Sequence, residues 1–222
     1  MSGGACYPPV GHQPPSVRDF MAFEEHVRNA RRWRGLDVAP EWYAQPVFYF
    51  SNPASIYRDG EAVPKPADTE KLDYELELAC VIGGDGRPAG FTVMNDFSAR
   101  DLQFAEVPVG LGPAKGKDFA TALGPVLVPV DELPVDMDLR AVARVNGEVR
   151  SDTRTGGMHF SWDELLAAAA RNTRGLQAGD VIGSGTVPGG CILEHGDERW
   201  LQVGDVVELE IERIGVLRNT IA

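Results

Sequence analysis

Asp73-Tyr-Glu-Leu-Glu-Leu-Ala-Cys-Val-Ile82 alternates in character, so as a strand it sets Leu76, Leu78, Cys80 and Ile82 on one face and Glu75 and Glu77 on the other. The two carboxylates then lie about 6.5 Å apart, where like charges repel by about 2–3 kcal/mol at an effective dielectric of 20. A cation between them removes that cost. A half-exposed strand with a wet polar face is the other reading of the same pattern. A second stretch bears on the choice: Gly90-Phe-Thr-Val-Met-Asn-Asp-Phe-Ser-Ala-Arg-Asp101 places Asn95 and Asp96 where an apolar strand ends, an edge on which functional carboxylates often sit. If Asp96 meets Glu75 and Glu77, the site is all oxygen, which suits Mg2+, Mn2+ or Ca2+ rather than Zn2+.

Around this centre the chain reads as strands: Pro46 to Phe50, Gly90 to Met94, Pro125 to Val130 and Leu139 to Val145, separated by Gly, Pro and Asp clusters. Asn146-Gly147 predicts a type I′ turn joining Ala141–Val145 to Glu148–Arg150. Ser161 with Glu164 predicts a capped helix through Leu165, Leu166 and four alanines toward Gly175. Leu176–Ile182 echoes Leu201–Val207, which reads as one Gly-Asp turn built twice before an apolar strand. Near the start, Ser16 with Asp19 resembles a capping box, and Phe20, Phe23, Val27 and Ala30 recur at helical spacing until Gly35, predicting a helix over 17–34. Residues 1–15, with Pro8, Pro9, Pro14 and Pro15, are expected to form an extended arm, and 16–222 one domain. The fold class is a β-rich α+β.

With a formal net charge of −12, the chain opposes a polyanion, and its one dense basic run (Arg28, Arg31, Arg32, Arg34) reads as a solvated helix face. Nucleic acid is therefore excluded as the expected partner. No apolar stretch approaches the roughly 20 residues of a membrane span, and the N-terminus lacks the charged-then-apolar order of a signal peptide. The expectation is a soluble, cytoplasmic protein without membrane association. Cys6, Cys80 and Cys191 are too few and too scattered for a disulfide framework or a thiolate zinc site. Cys80 and Cys191 are expected to be small strand residues. Lys115-Gly-Lys117 is no phosphate loop, since Leu111 and Asp118 occupy the positions that need Gly and Ser or Thr. There is no G-x-S-x-G elbow and no G-x-G-x-x-G fingerprint.

Taken in order, Asp73-Tyr-Glu-Leu-Glu77, Asn95-Asp-Phe-Ser-Ala-Arg-Asp101 with Gln103, Gly116-Lys-Asp-Phe119, Gly124-Pro125, Asn146-Gly147, Gly185-Thr186 and Gly204-Asp-Val-Val207 resemble the fumarylacetoacetate hydrolase family. The resemblance runs from about Arg18 to the C-terminus. It implies a mixed β-roll, usually a homodimer, in which Glu75, Glu77 and Asp96 bind the metal, Asp19 is a fourth ligand and His26 is the catalytic histidine, oriented by Glu194. The implied reaction is hydrolysis of a C–C bond in a small 1,3-dicarbonyl such as an acylpyruvate, with Mg2+ (or Mn2+, or Ca2+). His26 would activate water, Lys117 would stabilise an oxyanion, and Arg100, Gln103, Thr186 and Arg34 would bind substrate. On a helix over 17–34, Asp19 and His26 would share a face about 10 Å apart along the axis. His12, His159 and His195 compete for the catalytic role. Met21 and Val107 replace tyrosines of the family's fumarylacetoacetases, which bears on substrate identity. A 2-oxo acid decarboxylase or isomerase on the same scaffold would not need activated water, so adjacency of His26 and Glu194 favours the hydrolase. The other alternative is a non-catalytic, metal-stabilised binding domain.

Overall fold

The computed structural model describes residues 13–33 and 35–222. Cys6, His12, Arg34 and most of the expected arm lie outside these residues. In chain order the first half contains β1 (Val17–Phe20), α1 (Glu24–Arg32), α2 (Pro40–Ala44), β2 (Phe48–Ser51), β3 (Ile56–Arg58), β4 (Ala62–Val63), β5 (Leu72–Asp73), β6 (Leu76–Ile82), β7 (Pro88–Asp96), β8 (Ser98–Ala99) and α3 (Arg100–Glu106). The second half contains β9 (Thr121–Leu123), β10 (Val128–Pro129), β11 (Arg140–Val145), β12 (Glu148–Arg154), α4 (Trp162–Ala170), β13 (Val181–Gly183), α5 (Ile192–His195), β14 (Val206–Ile211) and β15 (Gly215–Ile221).

A curled sheet runs in the order β2-β1-β13-β6-β7-β9-β3, with β10 paired to β7, and a second sheet runs β12-β11-β14-β15-β4. The main core lies where Leu76, Leu78, Cys80 and Ile82 of β6 share a cluster with Ala141, Ala143, Leu209, Ile211 and Leu217 of the second sheet. The opposite face of the first sheet holds a smaller cluster of Val17, Ala79, Met94, Leu123 and Val181. The architecture is the β-rich α+β that the sequence predicts. Both faces of β6 are covered, so Glu77 on it and Glu75 just before it are not a wet strand face: Glu75 is 4% exposed and Glu77 0%.

Local chemistry places several elements as expected. Asn146 (φ 53°) and Gly147 (φ 79°) both adopt the left-handed region that a type I′ turn requires, and β12 continues past Arg150 to Arg154. Ser161 and Glu164 form a reciprocal capping box at α4, which ends at Ala170 rather than reaching Gly175. The repeated turn is real: Asp180 accepts from the Gln177 amide and Asp205 from the Gln202 amide, each at 2.8 Å, just before β13 and β14.

Three expectations are corrected. Residues 17–20 form β1, not a helix, because Val17-Arg-Asp-Phe pairs in parallel with β13 and antiparallel with β2 and is wholly buried. Two ladders and that burial outweigh local helical spacing, and Ser16 donates to Asp180 at 2.7 Å instead of capping a helix. The helix begins only at Glu24. Pro125–Val130 contributes just the two residues of β10 before a 3-10 turn over Val130–Glu132. Cys191 precedes α5 and bridges to Glu75 instead of lying within a strand, whereas Cys80 is in β6. Among the described residues no helix is long and apolar enough to cross a membrane.

Candidate active site

Strand periodicity builds the centre of the site. Along the face that carries the smaller cluster, the position two residues beyond Val17 is Asp19, beyond Ala79 toward the start of β6 is Glu77, and beyond Met94 is Asp96. Apolar packing thus gives way to carboxylates at the same end of three strands. Glu75 joins them from the residue pair before β6, where Asn95 accepts its backbone N–H at 2.9 Å. One oxygen from each of Asp19, Glu75, Glu77 and Asp96 lies within 4.8 Å of the others, and all four side chains are buried. Room for Asp19 comes from Gly183, its register partner on β13: a methyl group there would overlap Asp19 Oδ1 and Met94 Cε.

Like charges 4.8 Å apart repel by about 3–4 kcal/mol per pair at an effective dielectric of 20, so the cluster cannot be fully ionised without positive charge. Lys117 supplies some, with Nζ 2.5 Å from both Glu75 Oε2 and Asp96 Oδ2. Burial opposes the Glu75 charge, but Arg100 and Lys117 outweigh it and hold that carboxyl below its usual range. Burial first, and then the Asp96 charge, raise Asp19 well above the carboxylate range. Burial and then the Asp19 and Glu75 charges do the same to Glu77. Asp96 is raised by burial despite Lys117.

Glu77 Oε2 and Asp96 Oδ1 are buried without a hydrogen-bond partner. Orphaned oxygens of this kind, in an all-carboxylate cluster of raised pKa, fit a hard divalent cation. The residues present could hold a metal ion.

Beside the cluster, His26 on α1 places Nδ1 2.7 Å from Glu194 Oε1 on α5, and Asn29, one turn along α1, donates to Glu194 Oε2 at 2.9 Å. Burial opposes the Glu194 charge, but these bonds keep its carboxyl below the usual range. Asp73 ties the two halves of the site together. It accepts the backbone N–H groups of Ile192 (2.7 Å) and Leu193 (3.1 Å), which open α5, and it also accepts from Arg100 Nε at 2.8 Å. Arg100 in turn donates to Glu75 at 2.6 Å. The carboxylates and the dyad are therefore positioned by one buried ionic chain.

The structure brings together Asp19, Glu75, Glu77, Asp96, His26, Glu194, Lys117, Arg100, Gln103 and Thr186. Arg34 lies outside the described residues. Asp19 and His26 arrive from a strand and a helix rather than from one helix face. Arg100 is only 2% exposed and lines the cavity, and its guanidinium is engaged by Asp73, Glu75 and Gln103, so it orients these side chains. Gln103 Oε1 accepts from Arg100 at 3.1 Å, which turns its amide NH2 toward other partners. Thr186 Oγ1 is 3.5 Å from Glu77 Oε1. Of the competing histidines among the described residues, His159 packs among Trp42, Tyr43 and Phe160, and His195 meets Ser151. Sequence reasoning missed Tyr49, whose hydroxyl donates to Asp96, and Asp73 and Asn29 as supports. Asp73 opens the deciding motif, but only the fold shows that it faces α5.

These features define a class: a mixed β-roll with a buried carboxylate cluster and a histidine–glutamate dyad at its rim. The family model for the C-terminal region of fumarylacetoacetate (FAA) hydrolase matches residues 16–222, and the chain belongs to that family. Oxaloacetate tautomerase YisK of Bacillus subtilis is 34% identical over 187 residues, which are 79% of this chain and 61% of that protein. The chain thus spans about three fifths of that curated relative's length. Among solved structures, fumarylacetoacetate hydrolase (EaFAH) from Exiguobacterium antarcticum superposes with a TM-score of 0.72 at 30% identity, covering 95% of this chain and 76% of that one. 5-Carboxymethyl-2-hydroxymuconate delta-isomerase from Mycobacterium smegmatis gives 0.72 at 26% identity, covering 95% and 77%.

Proposed function

We propose that this chain is a divalent-metal-dependent hydrolase that cleaves the C–C bond between the two carbonyls of an acylpyruvate-like 1,3-dicarbonyl. The observation that carries the reading is the buried 2.7 Å contact between His26 Nδ1 and Glu194 Oε1 at the edge of the carboxylate cluster. Asp19, Glu75, Glu77 and Asp96 would hold Mg2+ or Mn2+, which supplies Lewis acidity to the dicarbonyl oxygens when bound. With Nδ1–H directed at Glu194, the imidazole lone pair is at Nε2 and can take a proton from water, while Glu194 stabilises the imidazolium. Two donors of Lys117 Nζ go to Glu75 and Asp96. Its third is then directed at the oxyanion formed by attack on the acyl carbonyl. The Gln103 amide NH2, oriented by Arg100, binds the pyruvate carboxylate, with Thr186 beside Glu77 bounding the pocket.

The second reading is an isomerase or tautomerase of 2-oxo acids, favoured by the 34% identity to a protein named oxaloacetate tautomerase. The same dyad would then move a proton at carbon instead of activating water. Incubating the Mg2+-loaded chain with acetylpyruvate and with enol-oxaloacetate separates the readings. Stoichiometric pyruvate and acetate support hydrolysis; enol loss without cleavage supports tautomerisation; neither would support a binding domain. We further propose a soluble, cytoplasmic homodimer acting on small molecules.

A further inference from the structure

Building on the proposed reaction, we infer that the outer half of the same cavity is a subsite for an apolar tail, so that the preferred substrate is a 2-oxo acid or acylpyruvate ending in an alkyl or aryl group rather than a second carboxylate. The cavity measures about 370 Å3, within the range that accepts drug-sized ligands and larger than a pyruvate head fills. Three walls turn from polar to apolar in the outward direction. On β1 and β2 the cavity meets Asp19 and Tyr49 and, two positions further out on the same faces, Met21 and Val47 at the surface, with the Phe20–Phe48 pair, rings 5.0 Å apart, between them on the alternate face. Two strand positions, about 6.8 Å, separate carboxylate from hydrocarbon. On α3 and the 3-10 turn after it, the buried Arg100 and its partner Gln103 give way to Phe104 and then Val107. On α1 the step is from His26 to Ala30, one turn along and half-buried. Trp42 also lines the cavity, and its one polar hydrogen is given to the Met21 carbonyl at 3.0 Å, so what it offers a ligand is ring surface.

Among the described residues, the cations that line the cavity are already engaged. Lys117 and Arg100 are held by the carboxylate cluster and Asp73. Arg31, the outer cation among the described lining residues, donates through Nε to the Asp37 carbonyl. A tail carboxylate would lose hydration against aromatic and aliphatic walls, whereas an alkyl chain would gain from leaving water.

N-alkyl oxamates test this, because they keep a dicarbonyl acid head and do not react. Each buried methylene should tighten binding roughly fourfold, so in calorimetric titration of the Mg2+-loaded full chain N-butyl oxamate should bind about 60-fold more tightly than N-methyl oxamate. N-carboxypropyl oxamate should bind more weakly than N-butyl oxamate. Val107→Arg should reverse that last difference by tightening binding of the carboxylate-tailed probe, a gain that misfolding cannot produce. Affinities that do not change with tail length would overturn the inference. So would tighter binding of the carboxylate-tailed probe, and if Arg31→Ala abolished that preference the outer end would belong to Arg31. Failure of the hydrolase reading looks different: the chain would still grade oxamates by tail length but would cleave no acylpyruvate.

Discussion

Glu194→Gln keeps the shape of the dyad and removes its charge. In the wild-type protein Glu194 accepts from His26 Nδ1 at 2.7 Å and from Asn29 Nδ2 at 2.9 Å. An amide at this position can accept one of these bonds but presents N–H to the other partner, and rotation of the Asn29 amide relieves that conflict. What is lost is the charge that stabilises the imidazolium as His26 takes the water proton. A hydrogen bond to a charged partner contributes about 1.5–3 kcal/mol against about 0.5–1.5 for a neutral one. The difference, about 1–2 kcal/mol, corresponds to a loss of about 5- to 30-fold in kcat/KM. His26→Ala removes the base and should cost about 100- to 10,000-fold, and the double variant should be little worse, because the two act as a unit. The assay is acetylpyruvate consumption with saturating Mg2+, paired with calorimetric Mn2+ titration, in which both variants should keep wild-type affinity. Near-full turnover by His26→Ala, or loss of the cation in either variant, would refute this division of labour.

Glu77→Ala should lose Mn2+ binding and turnover together, both read on one preparation, since it removes a buried oxygen that lacks a protein partner. Gly183→Ala should weaken cation binding by displacing Asp19 while costing about 1–3 kcal/mol of stability in urea unfolding, because the overlapped atoms are side-chain ends that can move. Burial and mutual repulsion raise Asp19 and Glu77 in the folded state, so their stabilising contribution is present below the ordinary carboxylate pKa and is lost as pH rises through the raised values. Cation-free protein should accordingly lose Tm as pH rises above the ordinary carboxylate range, Mg2+ should restore a margin that grows with pH, and titrations in buffers of different ionisation enthalpy should show proton release on binding.

Much of the site was legible because strand alternation is a strict geometric rule. Glu75 and Glu77 had to face away from Leu76 and Leu78, and Asp96 had to fall at the end of an apolar run. The Gly-Asp turns, Asn146-Gly147 and the Ser161 capping box were legible because each encodes its own backbone geometry. Residues 17–20 read as helix because Phe20, Phe23, Val27 and Ala30 carry helical spacing, while the ladders that make Val17–Phe20 a strand come from residues 28 to 164 positions away. The roles of Arg100 and Asp73 were hidden for a similar reason. That Arg100 is buried and joined to Asp73, Glu75 and Gln103 is visible only once the fold brings these residues together. Asn29 and Tyr49 carry no signal apart from the elements that deliver them.

The most direct test of the hydrolase reading is to run acetylpyruvate turnover by the Mg2+-loaded chain in oxygen-18 water and follow the products by mass spectrometry. Hydrolysis places solvent oxygen in the carboxylate of the released acetate, in step with pyruvate formation, and the label should vanish together with the products when the cation is chelated. Exchange of the carbon-bound hydrogens with solvent, without labelled acetate or pyruvate, would contradict the hydrolase and assign the His26–Glu194 dyad to proton transfer at carbon.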